Sequence, residues 1–369
     1  MTRNHWYSAL LAGLAVVAIV AAIAFFSSTA SFVRVDPEDA MPWTEKPPVL
    51  DTRAYDEKLL EIAHVPSSSP WYNAYLFGTT TPVDSRGNAT TTTQRKPAWP
   101  VKAVYPNAGA LLPFNRIVAY YGNFYSTAMG ALGQYPPDEM LERLASTTAA
   151  WQAADPSTPV IPAIHYIVET AQAAKGADGD YMARMPDSQI DKALELAARV
   201  HGLVFLDFQI GLSTVEKELP QYATYLALPN VHVGVDPEFS MKDGVAPGRE
   251  IGTYDAADIN WVAQYLAGLV RDNHLPPKIL VIHRFTQAMV THARSIAPLP
   301  EVQIVVDMDG WGSKEKKLTT YVWIVAAEPV QFTGFKIFYK NDLLPPSTGL
   351  YTPAEVLKLT PAPIYIQYQ

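Results

Sequence analysis

The segment Gly234-Val235-Asp236-Pro237-Glu238 holds two carboxyls two residues apart. On an extended chain that spacing puts both on one side, about 7 Å apart along it. Two acids so placed can share a proton, so Asp236 raises the pKa of Glu238 and suits it to general-acid work. Other polar residues sit toward the ends of apolar runs: Asp207 and Gln209 in LVFLDFQ, Asp307 and Asp309 in VQIVVDMDG, His165 in VIPAIHY and His283 in KILVIHRF. Lys336 in GFKIFYK, Gln367 in IYIQYQ and Tyr120 in RIVAYYG complete the set. Asp309 and Asp207 are the candidate second carboxyls for acid/base catalysis. Gln209, Tyr120, His165, His283, Asp307, Lys336, Trp311 and Gln367 are the expected substrate-binding residues.

A second reading gives His165, Asp207, Asp236, His283 and Asp307 to a divalent cation in a metal-dependent hydrolase. Against it, no two histidines share a strand or helix at H-x-H or H-E-x-x-H spacing, and Lys336 in the same layer repels a cation. No metal or other cofactor is therefore expected. A third reading is a non-catalytic envelope protein that binds glycan or a partner through its loops. Phosphate loops and the G-x-S-x-G elbow are missing from the sequence.

The elements that must position these residues are eight short apolar runs: 116–122, 160–166, 203–209, 231–239, 278–285, 302–310, 334–340 and 364–369. Amphipathic segments at 136–152, 186–200, 254–270 and 352–359 separate several of them, each with Pro, Asp or Thr in its first two residues. The alternation predicts an α/β chain with a (β/α)8 TIM barrel over residues 114–369, a length that matches the about 250 residues such a barrel needs. Strand-to-helix connections at 121–136, 167–186 and 240–254 are long, whereas the returns at 201–202, 228–230 and 274–277 are terse. Barrels elaborate their catalytic face in this way. Since the helix layer is apolar, the polar parity of each strand should face the lumen. That places Asp207, Asp236 and Asp307 in a deeper ring with Lys336, His165 and His283, either as a buried network or as part of a site. Gln209, Glu238 and Asp309 come one step nearer the mouth. Loop aromatics such as Phe124, Tyr181, Phe239 and Trp311 offer stacking faces for sugars or ordinary packing, and His201, His232, His274 and His292, on helix ends or the strand parity opposite to the lumen, read as structural.

The remaining sequence bounds the setting. A net charge of -8 with no long basic run argues against a nucleic-acid partner. The absence of cysteine excludes disulfides and thiolate chemistry. Residues 9–26 form an uncharged apolar run behind Arg3, long enough to span a membrane. An uncleaved signal anchor over residues 1–31 is expected in preference to a cleaved signal, with the domain on the extracytoplasmic face, either membrane-anchored or secreted. Residues 32–113 are rich in proline and read as a spacer and N-terminal extension that partly packs on the barrel, where Trp71 and Trp99 cover one end.

The D-x-E of Asp236 and Glu238 resembles strand four of chitinase-type and lysozyme-type barrel glycosidases. The resemblance implies that Glu238 protonates the glycosidic oxygen, that Asp236 tunes it, and that Asp309 or Asp207 is the second carboxyl, with the carboxyl separation deciding retention or inversion. The chain has Gly234 where the chitinase-type pattern has a further Asp, and no Glu at the end of strand seven, the usual nucleophile position of many retaining barrel glycosidases. Through RIVAYYGNFYS, LDFQIGLSTV, VGVDPEFSM, VIHRFT, DMDGWG and GFKIFYKND the chain also resembles a group of exported bacterial (β/α)8-barrel proteins, which implies a shared barrel and an envelope location.

Overall fold

A computed structural model describes residues 49–369. Eight strands form the centre: β1 (Arg116–Gly122), β2 (Val160–Ala171), β3 (Leu203–Phe208), β4 (Val231–Val235), β5 (Lys278–Arg284), β6 (Val302–Met308), β7 (Phe332–Ile337) and β8 (Tyr365–Tyr368). Each pairs in parallel with its sequence neighbours, and β1 pairs with both β2 and β8, so the sheet closes on itself. The chain is an α/β protein with a closed, eight-stranded parallel barrel. Most strands are buried on both faces, which is why their middles, such as ILVI at 279–282 and IVV at 304–306, are continuously apolar.

Two cores follow from the two strand faces. Outward side chains, among them Val118, Ile164, Leu206, Val233, Ile282, Val306, Phe335 and Ile366, pack against the helix layer. Inward ones, including Ile117, Ala119, Phe205, Ile279, Val281, Val305 and Tyr365, fill the lower lumen. The largest surrounding helices are Pro137–Ala154, Asp187–Arg199 and Ala256–Asp272. The last of these begins at a capping box, in which the Asp255 carboxylate and the Asp258 carboxylate each accept from a backbone N–H across the first turn.

The described part of the N-terminal extension forms the barrel floor. Helix α1 (Thr52–Ile62) starts at Asp51, whose carboxylate accepts from Arg53 N and Ala54 N at 3.0 and 2.9 Å. It buries Tyr55, Leu59 and Ile62 against Ile117, Leu203 and Ile279 at the strand N-termini. Full burial of each such side chain stabilises by about 1.5–3 kcal/mol. Trp99 is buried and donates its Nε1 proton to Ala326 O at 2.8 Å, tying the extension to the barrel. Trp71 donates instead to Gln94 O within the extension. Among the described residues no helix is long and apolar enough to cross a membrane. The anchor expected at 9–26 lies outside the described residues.

Three expectations are corrected by the strands. Tyr120 faces the helix layer, where its hydroxyl meets Thr147 and Tyr339 at 2.9 and 3.0 Å; Tyr121 is the inward residue of β1. Polarity fails to separate adjacent tyrosines, because either ring can be buried once its hydroxyl finds a partner. His232 shares the inward parity of Gly234 and lies deep in the lumen, accepting from Ile279 N at 3.1 Å. Finally, β4 ends at Val235, and Pro237–Phe239 is a single 3-10 turn. Asp236 caps that turn by accepting from Glu238 N at 3.1 Å. Proline at the first position of a turn with Asp before it is a cap signal, and it overrides strand continuation. Glu238 is therefore aimed by a turn and not by strand alternation.

Candidate active site

The upper lumen is a layer of acids, histidines and one lysine over the apolar floor. Asp207 at the end of β3 is its centre. Its Oδ2 accepts from the Tyr121 hydroxyl at 2.9 Å, and its Oδ1 lies 3.2 Å from His165 Nε2 and 3.3 Å from His283 Nε2. The His283 Nδ1 faces Asp309 Oδ2 at 3.2 Å and Asp307 Oδ2 at 3.4 Å. Lys336 Nζ sits 3.0 Å from Asp309 Oδ1 and 3.8 Å above the Tyr121 ring. Gln209 bridges the layer to β4: its amide nitrogen is 3.3 Å from both the Tyr121 hydroxyl and Asp236 Oδ2, while its oxygen accepts from Ala171 N. Gln367 and Tyr365 close the far side, both reaching His165 Nδ1.

Depth divides these residues. His165, Asp207, His283, Asp307 and Gln367 are fully buried. The contacts of His165, His283, Asp307 and Gln367, expected to hold substrate, and of Asp207, a candidate second carboxyl, are made within the layer itself. Strand parity reports which side of the sheet a residue faces, but not how deep it lies. Asp309, Gln209, Asp236 and Lys336 are buried yet border the mouth, with Asp309 7% exposed. Glu238 is half-buried. Trp311, 38% exposed on the loop after β6, lies at the rim with Lys316 Nζ 4.7 Å from its ring centre.

Charge separates the acids into two protonation classes. Burial, with the neighbouring Asp236 and Asp309 charges, lifts the Glu238 pKa to about 8 against the opposing pull of Lys336 and His283. Asp236 is pushed up to about 7, chiefly by burial and then by Asp207 and Asp309, with His283 and Lys336 working the other way. Asp309 goes down: burial opposes ionisation, but Lys336 and His283 outweigh it. Asp207 also falls well below the usual carboxylate range, because the two histidines overcome its burial. Burial holds His165 neutral, with a pKa near 4, whereas three carboxylates push His283 well up. The arrangement can therefore present a proton on Glu238 beside an ionised Asp309 near neutral pH.

Two contributors were not assigned from sequence. Tyr121 anchors Asp207, Gln209 and Lys336, and its only signal was the inward parity it shares with the apolar Ile117 and Ala119. Gly234 faces the lumen between strands; a Cβ there would come within 2.4 Å of both Asp207 Oδ1 and His165 Nε2. The position that departs from the chitinase-type pattern is thus a space requirement here.

No protein-family model matches the sequence, and a search of curated proteins gave no match. Among solved structures the chain is similar to a hyperthermophilic endo-β-1,4-glucanase in complex with substrate, at TM-score 0.37 and 7% identity over 69% of this chain and 89% of that one. It is similar to a ruminal GH26 endo-β-1,4-mannanase at TM-score 0.33 and 11% identity, covering 69% of this chain. A Bacteroides ovatus GH5 xyloglucanase in complex with a XXXG heptasaccharide gives TM-score 0.31 and 10% identity over 60% of this chain. The chain spans 58% of the mannanase and 61% of the xyloglucanase. Overlaps this loose say nothing of reaction, and the barrel is established by its own strand pairing.

Proposed function

We propose that the domain is a glycoside hydrolase acting on cell-envelope or extracellular glycan, with Glu238 as general acid and Asp309 as the second carboxyl. One observation carries the reading: Glu238 is half-buried at the mouth with a pKa raised to about 8, while the nearby Asp309 is held ionised by Lys336. Two carboxyls whose environments push their pKa values apart are the pairing that glycosidic cleavage needs. Glu238 protonates the leaving oxygen. Asp309 activates water or attacks the anomeric carbon, according to the carboxyl separation with sugar bound. Asp236 orients the Glu238 turn and, with burial, keeps the proton on it. Asp207 is the less favoured partner, because it is fully buried and its Oδ2 is taken by the Tyr121 hydroxyl. Trp311 offers an aromatic face at the rim, and Gln209 holds Asp236 in place. The apolar run at 9–26 supports an extracytoplasmic location, proposed on sequence alone.

The test is turnover of a panel of envelope and extracellular polysaccharides by the full-length protein and its Glu238→Gln variant. Loss of a general acid lowers the rate about 10²–10⁴-fold. Full turnover by the variant would overturn the assignment. Glycan affinity without turnover in either protein would leave a binding module.

A further inference from the structure

Three side chains below the mouth aim polar atoms at one point without hydrogen-bonding to each other. His165 Nε2 and His283 Nε2 lie 3.2 and 3.3 Å from the same oxygen, Asp207 Oδ1, and the ligand atoms of the three residues all fall within 4.8 Å of one another. The residues are fully buried, and none of these three atoms has an aligned hydrogen-bond partner. Each buried polar group left unpaired costs about 1–3 kcal/mol. Three of them converging is unfavourable unless something occupies the point between them.

The spacing fits a metal ion. Ligands about 2.0–2.2 Å from a metal, at tetrahedral or octahedral angles, stand about 2.8–3.6 Å apart, and the observed 3.2 and 3.3 Å from Asp207 Oδ1 lie inside that interval. The outer contacts are also those of ligands held in place. His165 Nδ1 is 2.5 Å from the Tyr365 hydroxyl, His283 Nδ1 faces Asp309 and Asp307, and Asp207 Oδ2 accepts from Tyr121. Gly234 borders the same point, and even one added carbon there would lie 2.4 Å from Asp207 Oδ1 and His165 Nε2. Charge points the same way. Asp207, Asp236, Glu238, Asp307 and Asp309 line the upper lumen with Lys336 as the permanent cation among them, although its charge is spent on Asp309.

We propose that His165, His283 and Asp207 bind one divalent transition-metal ion, which pins β2, β3 and β5 together beneath the mouth. Two imidazoles and one carboxylate select zinc or a similar first-row ion over calcium or magnesium, which take oxygen donors. The H-x-H spacing that sequence lacks is supplied across strands. The ion is structural and lies below the layer that faces substrate, so the proposal stands whether or not Glu238 is a general acid.

The test is metal analysis of the full-length protein, purified without chelator from zinc-supplemented medium. About one ion per chain is expected. Exhaustive dialysis against a chelator should remove it and lower Tm, and added zinc should restore both. Cobalt(II) loading should give visible d–d absorption that Asp207→Asn, a near-isosteric change, reduces at least tenfold. Gly234→Ala, which crowds the point without removing a ligand, should reduce occupancy as well. Where a variant fails to fold, the wild-type stoichiometry and the reversible Tm shift still decide. Wild-type protein with no stoichiometric metal and no Tm response to chelator or zinc would overturn the proposal, leaving a protonated His283 between carboxylates. Normal cobalt absorption in folded Asp207→Asn would also overturn it.

Discussion

Glu169 and Glu238 both keep a proton that an ordinary glutamate would lose, yet only one of them has access to a ligand. Glu169 lies on β2 just beyond a bulge between Ile167 and Glu169. It is fully buried beside Glu218 and Tyr222. Arg184 is 2.7 Å from Glu218 but 4.0 Å from Glu169, so Glu218 takes the cation. Burial and the Glu218 charge then lift Glu169 to about 9. At the mouth the same arithmetic operates: Lys336 goes to Asp309, and Glu238 rises to about 8. A raised carboxyl pKa therefore records a local shortage of cations in a buried site. Access to solvent, combined with an ionised partner, distinguishes a candidate catalytic acid from a packed one.

The comparison is broken most easily by activity. Glu238→Gln should lower glycan turnover about 10²–10⁴-fold, whereas Glu169→Gln should leave turnover near wild type; equal losses would erase the distinction. Next in size is the cation on the mouth side. Removing one partner of a buried ion pair costs about 3–5 kcal/mol, so Lys336→Met should show a loss of that order in chemical denaturation. A loss below about 1 kcal/mol would place the pair in the class of exposed ones.

A smaller effect lies in the pH profile. With Glu238 as acid, kcat/KM should fall as pH rises through about 8. Glu169→Gln should retain that limb, and Asp236→Asn should move it down by removing a neighbouring charge. A limb that follows Glu169 instead would reverse the roles.

The smallest effect is linkage. Both glutamates have folded pKa values above the ordinary 4.5, so the folded chain holds protons that the unfolded chain has released. Their contribution to stability is complete below that ordinary value and declines as pH rises toward about 9 for Glu169 and about 8 for Glu238. In Tm measurements across that range each Gln variant should gain on wild type as pH rises. Parallel pH curves would mean the protons are not held.

Much of the barrel was legible because strands buried on both faces must be apolar runs, and the alternation of those runs with helices dictates parallel pairing. The inward parity of His165, Asp207, His283, Asp307, Lys336 and Gln367 was legible for the same reason: carboxylates and amines do not face an apolar helix layer. Depth was not, since it depends on how far each strand rises toward the mouth. Tyr120 was misplaced because a tyrosine tolerates either face. The Asp236–Glu238 pair was recognised but given the wrong geometry; Pro237 ends the strand and turns Asp236 into a cap. The floor made by Tyr55, Leu59 and Ile62 was hidden because a short amphipathic helix does not reveal which surface it covers. Strand parity grouped His165, Asp207 and His283 as one possible ligand set, but spacing rules argued against it because they read neighbours in sequence rather than across strands.

The most direct test of the central claim is release of reducing ends from envelope polysaccharides by the full-length protein and Glu238→Gln, followed on both sides of about pH 8. The general-acid role of Glu238 requires wild-type turnover that falls above that pH and a variant at least about 100-fold slower below it. Wild-type turnover indifferent to both the substitution and the pH would contradict it.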